Sequence, residues 1–348
     1  MTEHQKSIEA VKHYYGEVLR SSSDLQTTAC CVGAAPAPHI VRALEDIHEE
    51  VKNRFYGCGS PIPPALDGVT VLDLGCGSGR DCYVLSKLVG PKGRVIGIDM
   101  TQAQLEVARA HIDYHAEKFG YANVEFRHGY IEDLHTAGIA DASIDLVVSN
   151  CVLNLSPDKP RVFSEIFRVL KPGGELYFSD VFADRRVPAA LAADPVLLGE
   201  CLGGALYHED FRRLIAVSGC RDPRNVSSVP LEINNPSLEK QLGLIAFRSS
   251  TIRAFKLDLE DRCEDFGQAA VYRGSMPEHS HAFDLDDHHR FETGKAVAVC
   301  GNTADMLSHT RYARHFRLIG DKTTHYGLFD CTPKATEMAG KTAVPSCC

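Results

Sequence analysis

The feature that most constrains this chain is an ordered alternation beginning at Val69. The short β-branched runs Val69–Leu74, Val95–Ile98, Val124–Arg127, Ile144–Ser149 and Glu175–Ser179 are separated by stretches of helical periodicity. Strands joined through helices pair in parallel and need helices over both faces of the sheet. One helix opens at Thr101 with Gln104 three residues later, the spacing of a capping box. Upstream, Ile8, Val11, Tyr14, Tyr15, Val18 and Leu19 repeat with helical spacing, as do Ile40, Leu44, Ile47 and Val51. Between them Ala29-Cys30-Cys31-Val32-Gly33-Ala34-Ala35-Pro36 reads as a loop. After about Val229 the alternation is lost, and Ala269–Tyr272 and Ala296–Val299 look like strands of a small separate sheet. The expected organisation is a helical cap with a cysteine loop over 1–65, an α/β domain with a doubly wound sheet over 66–230 and a small α+β domain over 231–332. A flexible tail over 333–348 follows, ending in Cys347-Cys348.

Composition narrows the chemistry. A formal net charge of −9 argues against a broad electrostatic grip on nucleic acid or anionic lipid, which leaves small molecules as ligands. No apolar run approaches the ~20 residues that cross a bilayer, and the polar start Met1-Thr2-Glu3-His4-Gln5-Lys6 lacks signal-peptide character. A cytosolic protein is expected. Thirteen cysteines, an odd number in a chain of 348 residues, suit metal binding or redox chemistry better than a secreted disulfide framework.

Directly after the first strand stands Asp73-Leu74-Gly75-Cys76-Gly77-Ser78-Gly79-Arg80, which enters a helix. The glycines permit a tight turn and close approach of backbone to a ligand. Dinucleotide sites space them G-x-G-x-x-G, whereas here the spacing is G-x-G-x-G with Asp73 two positions earlier. That resembles the first motif of class I methyltransferases and implies a Rossmann-like fold that binds S-adenosylmethionine. The second strand ends at Asp99-Met100, where an acid can accept from both ribose hydroxyls of an adenosyl group. Gln104 lies one turn further, Ile131 and Glu132 after the third strand would flank the adenine, and Asn150 ends the fourth. The cofactor-binding set is therefore Asp73, Gly75, Gly77, Gly79, Asp99, Met100, Gln104, Ile131, Glu132 and Asn150.

Three thiols stand where loops meet that crevice: Cys58 in Phe55-Tyr56-Gly57-Cys58-Gly59, Cys151 in Ser149-Asn150-Cys151-Val152-Leu153-Asn154-Leu155, and Cys201 in Gly199-Glu200-Cys201-Leu202-Gly203-Gly204-Ala205-Leu206. With His48-Glu49-Glu50-Val51 and Phe178-Ser179-Asp180-Val181, these phrases resemble the arsenite methyltransferase family. The resemblance runs from Tyr14-Tyr15-Gly16 to about Leu206 and more loosely beyond. It implies that Cys58, Cys151 and Cys201 bind arsenic(III), that arsenite and monomethylarsenite are substrates, and that glutathione or a thioredoxin-type thiol is the reductant. It also implies that the loop cysteine, matched here by the adjacent Cys30 and Cys31, can pair with Cys58.

Soft arsenic(III) prefers thiolate sulfur, so the residue types fit that chemistry. Zinc is the competing ion, yet no close C-x₂-C spacing occurs. Cys76, Cys82 and Cys220 read as buried fillers, and His279, His281, His288 and His289 among Asp284, Asp286 and Asp287 read as a solvated polar hairpin. Two other functions compete with arsenic methylation. A methyltransferase for a small organic acceptor would want a base where these thiols stand, and a metalloid-binding protein without turnover would need no sulfonium pocket.

Overall fold

The computed structural model describes residues 3–15, 27, 36–57 and 60–331. It divides into two units, Met1–Asp258 and Leu259–Cys348. The first opens with α1 (Glu3–His13), α2 (Pro38–Leu44) and α3 (Glu49–Asn53). The alternation follows: β1 (Thr70–Leu74), α4 (Arg80–Val89), β2 (Arg94–Asp99), α5 (Gln102–Ala110), α6 (Ile112–Phe119), β3 (Val124–His128), β4 (Ile144–Asn150), α7 (Lys159–Val169) and β5 (Leu170–Ala183). Then come α8 (Ala189–Ala192), α9 (Pro195–Gly199), β6 (Leu206–Tyr207), α10 (His208–Val217), β7 (Arg224–Pro230), α11 (Pro236–Leu242) and β8 (Phe247–Phe255).

The sheet runs β3-β2-β1-β4-β5-β8-β7, with β6 beside β5. Pairing is parallel from β3 through β5, and β8 is antiparallel to both β5 and β7. Successive side chains on a strand point to opposite faces, and β1 shows the result. Leu72 and Leu74 join Ile96, Ile98 and Phe163 on one face, while Val71 joins Val84, Val95 and Leu105 on the other. The chain reverses its winding at β1 and β4, and the crevice at their carboxyl ends is where ligands of such sheets bind.

Two expectations need correction here. The boundary expected near residue 230 falls inside the sheet, because β7 pairs with β8, and the first unit extends to Asp258. The capping box does not form. Thr101 is the N-cap of α5 but its side chain makes no cap bond, since Asp99 Oδ1 takes the Thr101 N–H at 2.7 Å and Gln104 Nε2 donates to the Tyr15 carbonyl at 3.3 Å.

In the second unit, β9 (Glu264–Asp265) is followed by β10 (Gln268–Tyr272), β11 (Ala282–Asp284), β12 (Arg290–Glu292), β13 (Ala296–Val299), α12 (Gly301–Ser308), β14 (Phe316–Ile319) and β15 (Gly327–Leu328). The two strands expected here pair with each other antiparallel, Ala269 opposite Ala298. The histidine hairpin is not simply a solvated surface. Asp286 and His289 are buried, and Asp286 Oδ1 accepts the His289 N–H at 2.7 Å while the His289 ring lies 2.8 Å from both carboxylate oxygens. The expected tail lies outside the described residues. Among the described residues no helix is long and apolar enough to cross a membrane.

Candidate active site

At the carboxyl ends of β1, β2 and β4 a pocket is lined by Asp73, Gly75, Gly77, Asp99, Met100, Gln104, Ile131, Glu132, Asn150 and Cys151, with Tyr15 and Tyr56 over it. Gly79 does not line it. Instead it caps α4 with φ +86°, and a Cβ there would stand 2.7 Å from the Phe126 ring, so it serves helix-to-sheet packing. At Gly77, φ is +53° and the space where a Cβ would go is open, which leaves bare backbone facing the cavity.

Asp99 organises this loop. Its Oδ2 accepts the Gly77 N–H at 2.9 Å and its Oδ1 the Thr101 N–H. Burial raises its carboxyl above the ordinary range, and those two N–H groups pull it back. Each carboxylate oxygen keeps a second lone pair for a ligand hydroxyl. Gln104 Oε1, also on the pocket wall, is a buried acceptor with no hydrogen bond. An adenosyl ribose would bring the donor that acceptor requires, so the residues present fit S-adenosylmethionine. Asp73 is buried and pushed up to about 8, by desolvation first and by the neighbouring Asp81 charge second. Cys82 donates to its Oδ2 at 3.2 Å.

The thiols sit at the rim. β4 ends at Asn150, yet the Cys151 N–H still donates to the Ser179 carbonyl at 2.8 Å, so the ladder holds Cys151 while its φ of +56° turns it out of the strand. Cys201 follows α9 at φ +61°. Both residues occupy left-handed conformations that non-glycine residues rarely adopt, a feature that concentrates at functional sites. The sulfurs of Cys151 and Cys201 and a carboxylate oxygen of Asp180 lie within 4.8 Å of one another. Val181, Leu197, Leu202, Leu231 and Ile233 form an apolar shell around the two cysteines. Cys151 is disulfide-bonded in this structure, whereas Cys201 is a free thiol. Cys58, Cys30 and Cys31 lie outside the described residues.

Sequence reasoning missed four residues that build the rim. The Asp180 carboxylate, raised to about 7 chiefly by burial, accepts from the Asn154 N–H at 3.1 Å and Asn154 Nδ2 at 2.7 Å. Lys159 donates to the Asn154 carbonyl at 3.0 Å, and desolvation lowers its ammonium to about 8. Gly204 passes so close to the same turn that a Cβ there would stand 2.0 Å from the Asn154 carbonyl oxygen. Glu200, fully buried, accepts from Tyr14 Oη at 2.7 Å and from Thr27 N and Oγ1 at 3.0 and 2.6 Å. Asp180, Glu200 and Gly204 all sit inside phrases that stood out in the sequence, where the neighbouring cysteines drew the attention. Cys76, Cys82 and Cys220 are buried, and burial raises all three thiols, Cys76 to about 11 and Cys220 to about 12.

Residues 65–219 match a family model described as a methyltransferase domain, and residues 267–340 match one described as the arsenite methyltransferase C-terminal domain. The arsenite methyltransferase of Aquipseudomonas alcaligenes is 56% identical over 98% of this chain and 99% of its own length. The chain belongs to the arsenite methyltransferase family. The human arsenite methyltransferase is 48% identical over 90% of this chain and 84% of its own length. The crystal structure of an arsenic(III) S-adenosylmethionine methyltransferase from Chlamydomonas reinhardtii superposes with a TM-score of 0.83 at 55% identity. It covers 85% of this chain and all of that one. As in that family, the fold here is the Rossmann-like sheet of class I methyltransferases.

Proposed function

We propose that this arsenite methyltransferase moves the methyl group of S-adenosylmethionine onto arsenic(III) held by the thiolates of Cys58, Cys151 and Cys201. The observation that carries the reading is the closeness of the Cys151 and Cys201 sulfurs inside an apolar shell, with Cys151 on the wall of the cofactor pocket. S-adenosylmethionine supplies a methyl group on a cationic sulfonium. Asp99, Gln104, Ile131 and Glu132 would hold the adenosyl portion, and Asp73, at the same wall, would ionise in favour of the cationic donor.

Three thiolates take the three valences of arsenic and leave its lone pair free. That pair forms the arsenic–carbon bond as the carbon–sulfur bond breaks, and no proton has to leave the nucleophile. Positioning by Cys151 and Cys201 is therefore the main contribution of the chain, and no general base is required. Charge moves without being separated, so the apolar shell does not oppose the step.

Arsenic that gains a methyl carbon is formally pentavalent. Two thiols closing to a disulfide return two electrons to it, and an external thiol of the glutathione or thioredoxin class reopens that disulfide. Cys58 with Cys30 or Cys31 is the proposed pair. The disulfide at Cys151 supports thiol–disulfide chemistry at this rim, and the cytosol, with its thiol pool, is the compartment that suits it. The test is to incubate the pure protein with arsenite, S-adenosylmethionine and thiols and to speciate the arsenic. Methylated arsenicals are expected. Unchanged arsenite beside a methylated organic acceptor would replace this reading.

A further inference from the structure

Three cysteines that the methyl-transfer site does not use converge in the second unit. Cys263 immediately precedes β9, Cys300 directly follows β13 and caps α12, and Cys331 lies just beyond β15. All three are free thiols, and their sulfurs lie within 4.8 Å of one another. Separate elements deliver them. β9 and β15 pair antiparallel, Leu328 opposite Glu264, and the Phe329 N–H donates to the Cys263 carbonyl at 2.8 Å, so the ribbon brings Cys331 back alongside Cys263. Cys300 is the N-cap of α12, a helix of eight residues. Its sulfur accepts the Thr303 N–H at 3.4 Å and lies 3.3 Å from Thr303 Oγ1.

Serine, threonine, aspartate and asparagine are the usual N-cap residues. A cysteine there places sulfur against the positive end of a helix, which favours the thiolate. Cys300 is buried while Cys263 and Cys331 are each partly exposed, so the cluster has a floor and an open side. Among the described residues no histidine, aspartate or glutamate belongs to this group of donors. Structural zinc takes four ligands. A three-sulfur set matches instead an ion that forms three bonds and keeps a lone pair.

We propose that Cys263, Cys300 and Cys331 form a second thiolate site, separate from the methyl-transfer thiols, that binds trivalent arsenic or another trivalent soft metalloid. Three arsenic–oxygen bonds of arsenous acid are replaced by three arsenic–sulfur bonds. The three thiol protons leave with the three hydroxyls as water, and arsenic stays trivalent, so no oxidant or reductant enters. Hydrogen bonds from Cys263 and Cys300, together with burial, push the Cys331 thiol far above its ordinary value, as expected where adjacent sulfurs cannot all ionise until a cation joins them. The choice of arsenic rests on the proposed function; the three-coordinate soft site does not.

The experiment uses the reduced full-length chain. It is alkylated with and without arsenite, and each cysteine-containing peptide is quantified by mass spectrometry. Arsenite is expected to protect Cys263, Cys300 and Cys331 together, and the C263S/C300S/C331S variant should bind one equivalent less arsenic on desalting while its Cys201 peptide stays protected. Because the peptides are read separately, protection at the second unit without protection at Cys151 and Cys201 would count against the methyl-transfer thiolates, not against this site. Alkylation of the three cysteines undiminished by arsenite, or one tightly held zinc per chain that arsenite does not displace, would overturn the proposal. The protection measurement on the unmutated chain decides the matter even if the triple variant does not fold.

Discussion

The Cys201 thiol donates to the backbone carbonyl of Cys151 at 3.2 Å. Two sulfur-bearing residues separated by fifty positions are thus fixed by main-chain geometry, and each carries a positive φ. Such backbone costs on the order of 1–3 kcal/mol per residue and persists only where the surrounding fold enforces it.

Valence separates the three thiols. Arsenite offers three exchangeable positions and monomethylarsenite two, so the rigidly held pair should suffice for the second substrate. Cys58→Ser is expected to lose methylation of arsenite and to keep much of its activity on monomethylarsenite. Cys151→Ser and Cys201→Ser should each lose both activities with circular dichroism unchanged. Arsenic speciation on the three variants with each substrate is the check, and brisk arsenite methylation by either of the last two would falsify the three-thiolate mechanism.

Gly204→Ala tests the support of this rim. The added carbon overlaps the Asn154 carbonyl, so the loop bearing Cys201 has to move, at a cost of about 1–3 kcal/mol for overpacking. Urea denaturation should show that loss, and arsenite methylation should fall more steeply than S-adenosylmethionine affinity. An equal fall in both would mean the loop carries the cofactor pocket too.

Asp73 makes binding of the methyl donor depend on pH. Its folded carboxyl titrates near 8, far above the unfolded value, so between about pH 4 and 8 the native state keeps a proton that the unfolded state has lost. Stability from this group therefore falls as pH rises through that window. A cationic ligand favours the ionised carboxylate, so S-adenosylmethionine should bind more tightly as pH rises toward 8 and should expel a proton on binding below it. Calorimetry in buffers of different ionisation enthalpy reads that proton directly, and Asp73→Asn should abolish it.

Asp99→Asn should weaken S-adenosylmethionine by about 1.5–3 kcal/mol, the worth of hydrogen bonds to a charged group. An affinity equal to that of the parent chain would place the adenosyl group elsewhere.

The buried pair of Glu175 and Arg253, 2.8 Å apart across β5 and β8 with 0% and 1% of their side chains exposed, lies within the sheet. Removing Arg253 breaks a buried ion pair, so Arg253→Met should cost roughly 3–5 kcal/mol, and adding Glu175→Leu should recover part of it. Chemical denaturation of the single and double variants measures both numbers.

That ion pair also shows where the sequence was silent. β1, β2 and β4 announce themselves because each is an apolar run buried on both faces. β8, Phe247-Arg248-Ser249-Ser250-Thr251-Ile252-Arg253-Ala254-Phe255, carries two arginines and two serines, and the acid that makes Arg253 tolerable inside the sheet lies far away along the chain. The domain boundary was therefore expected too early. The cofactor residues were legible because a glycine turn and strand-end acids are local patterns. Asp180, Lys159 and Glu200 were not, since their roles exist only once Asn154, Tyr14 and Thr27 have been folded against them. The cluster of Cys263, Cys300 and Cys331 was hidden for the same reason, with at least thirty residues between successive members.

Glu200 binds Tyr14 and Thr27 with one carboxylate, and its next neighbour in the chain is Cys201. With the proposed arsenic site at Cys201, metalloid capture and the anchoring of Tyr14 and Thr27 on Glu200 would be two ends of one thermodynamic lever. Whatever draws Cys201 toward a ligand tugs on the same peptide unit that anchors Tyr14 and Thr27, and linkage requires the influence to run equally in reverse. The proposed arsenic site would then be coupled to contacts some 170 residues upstream.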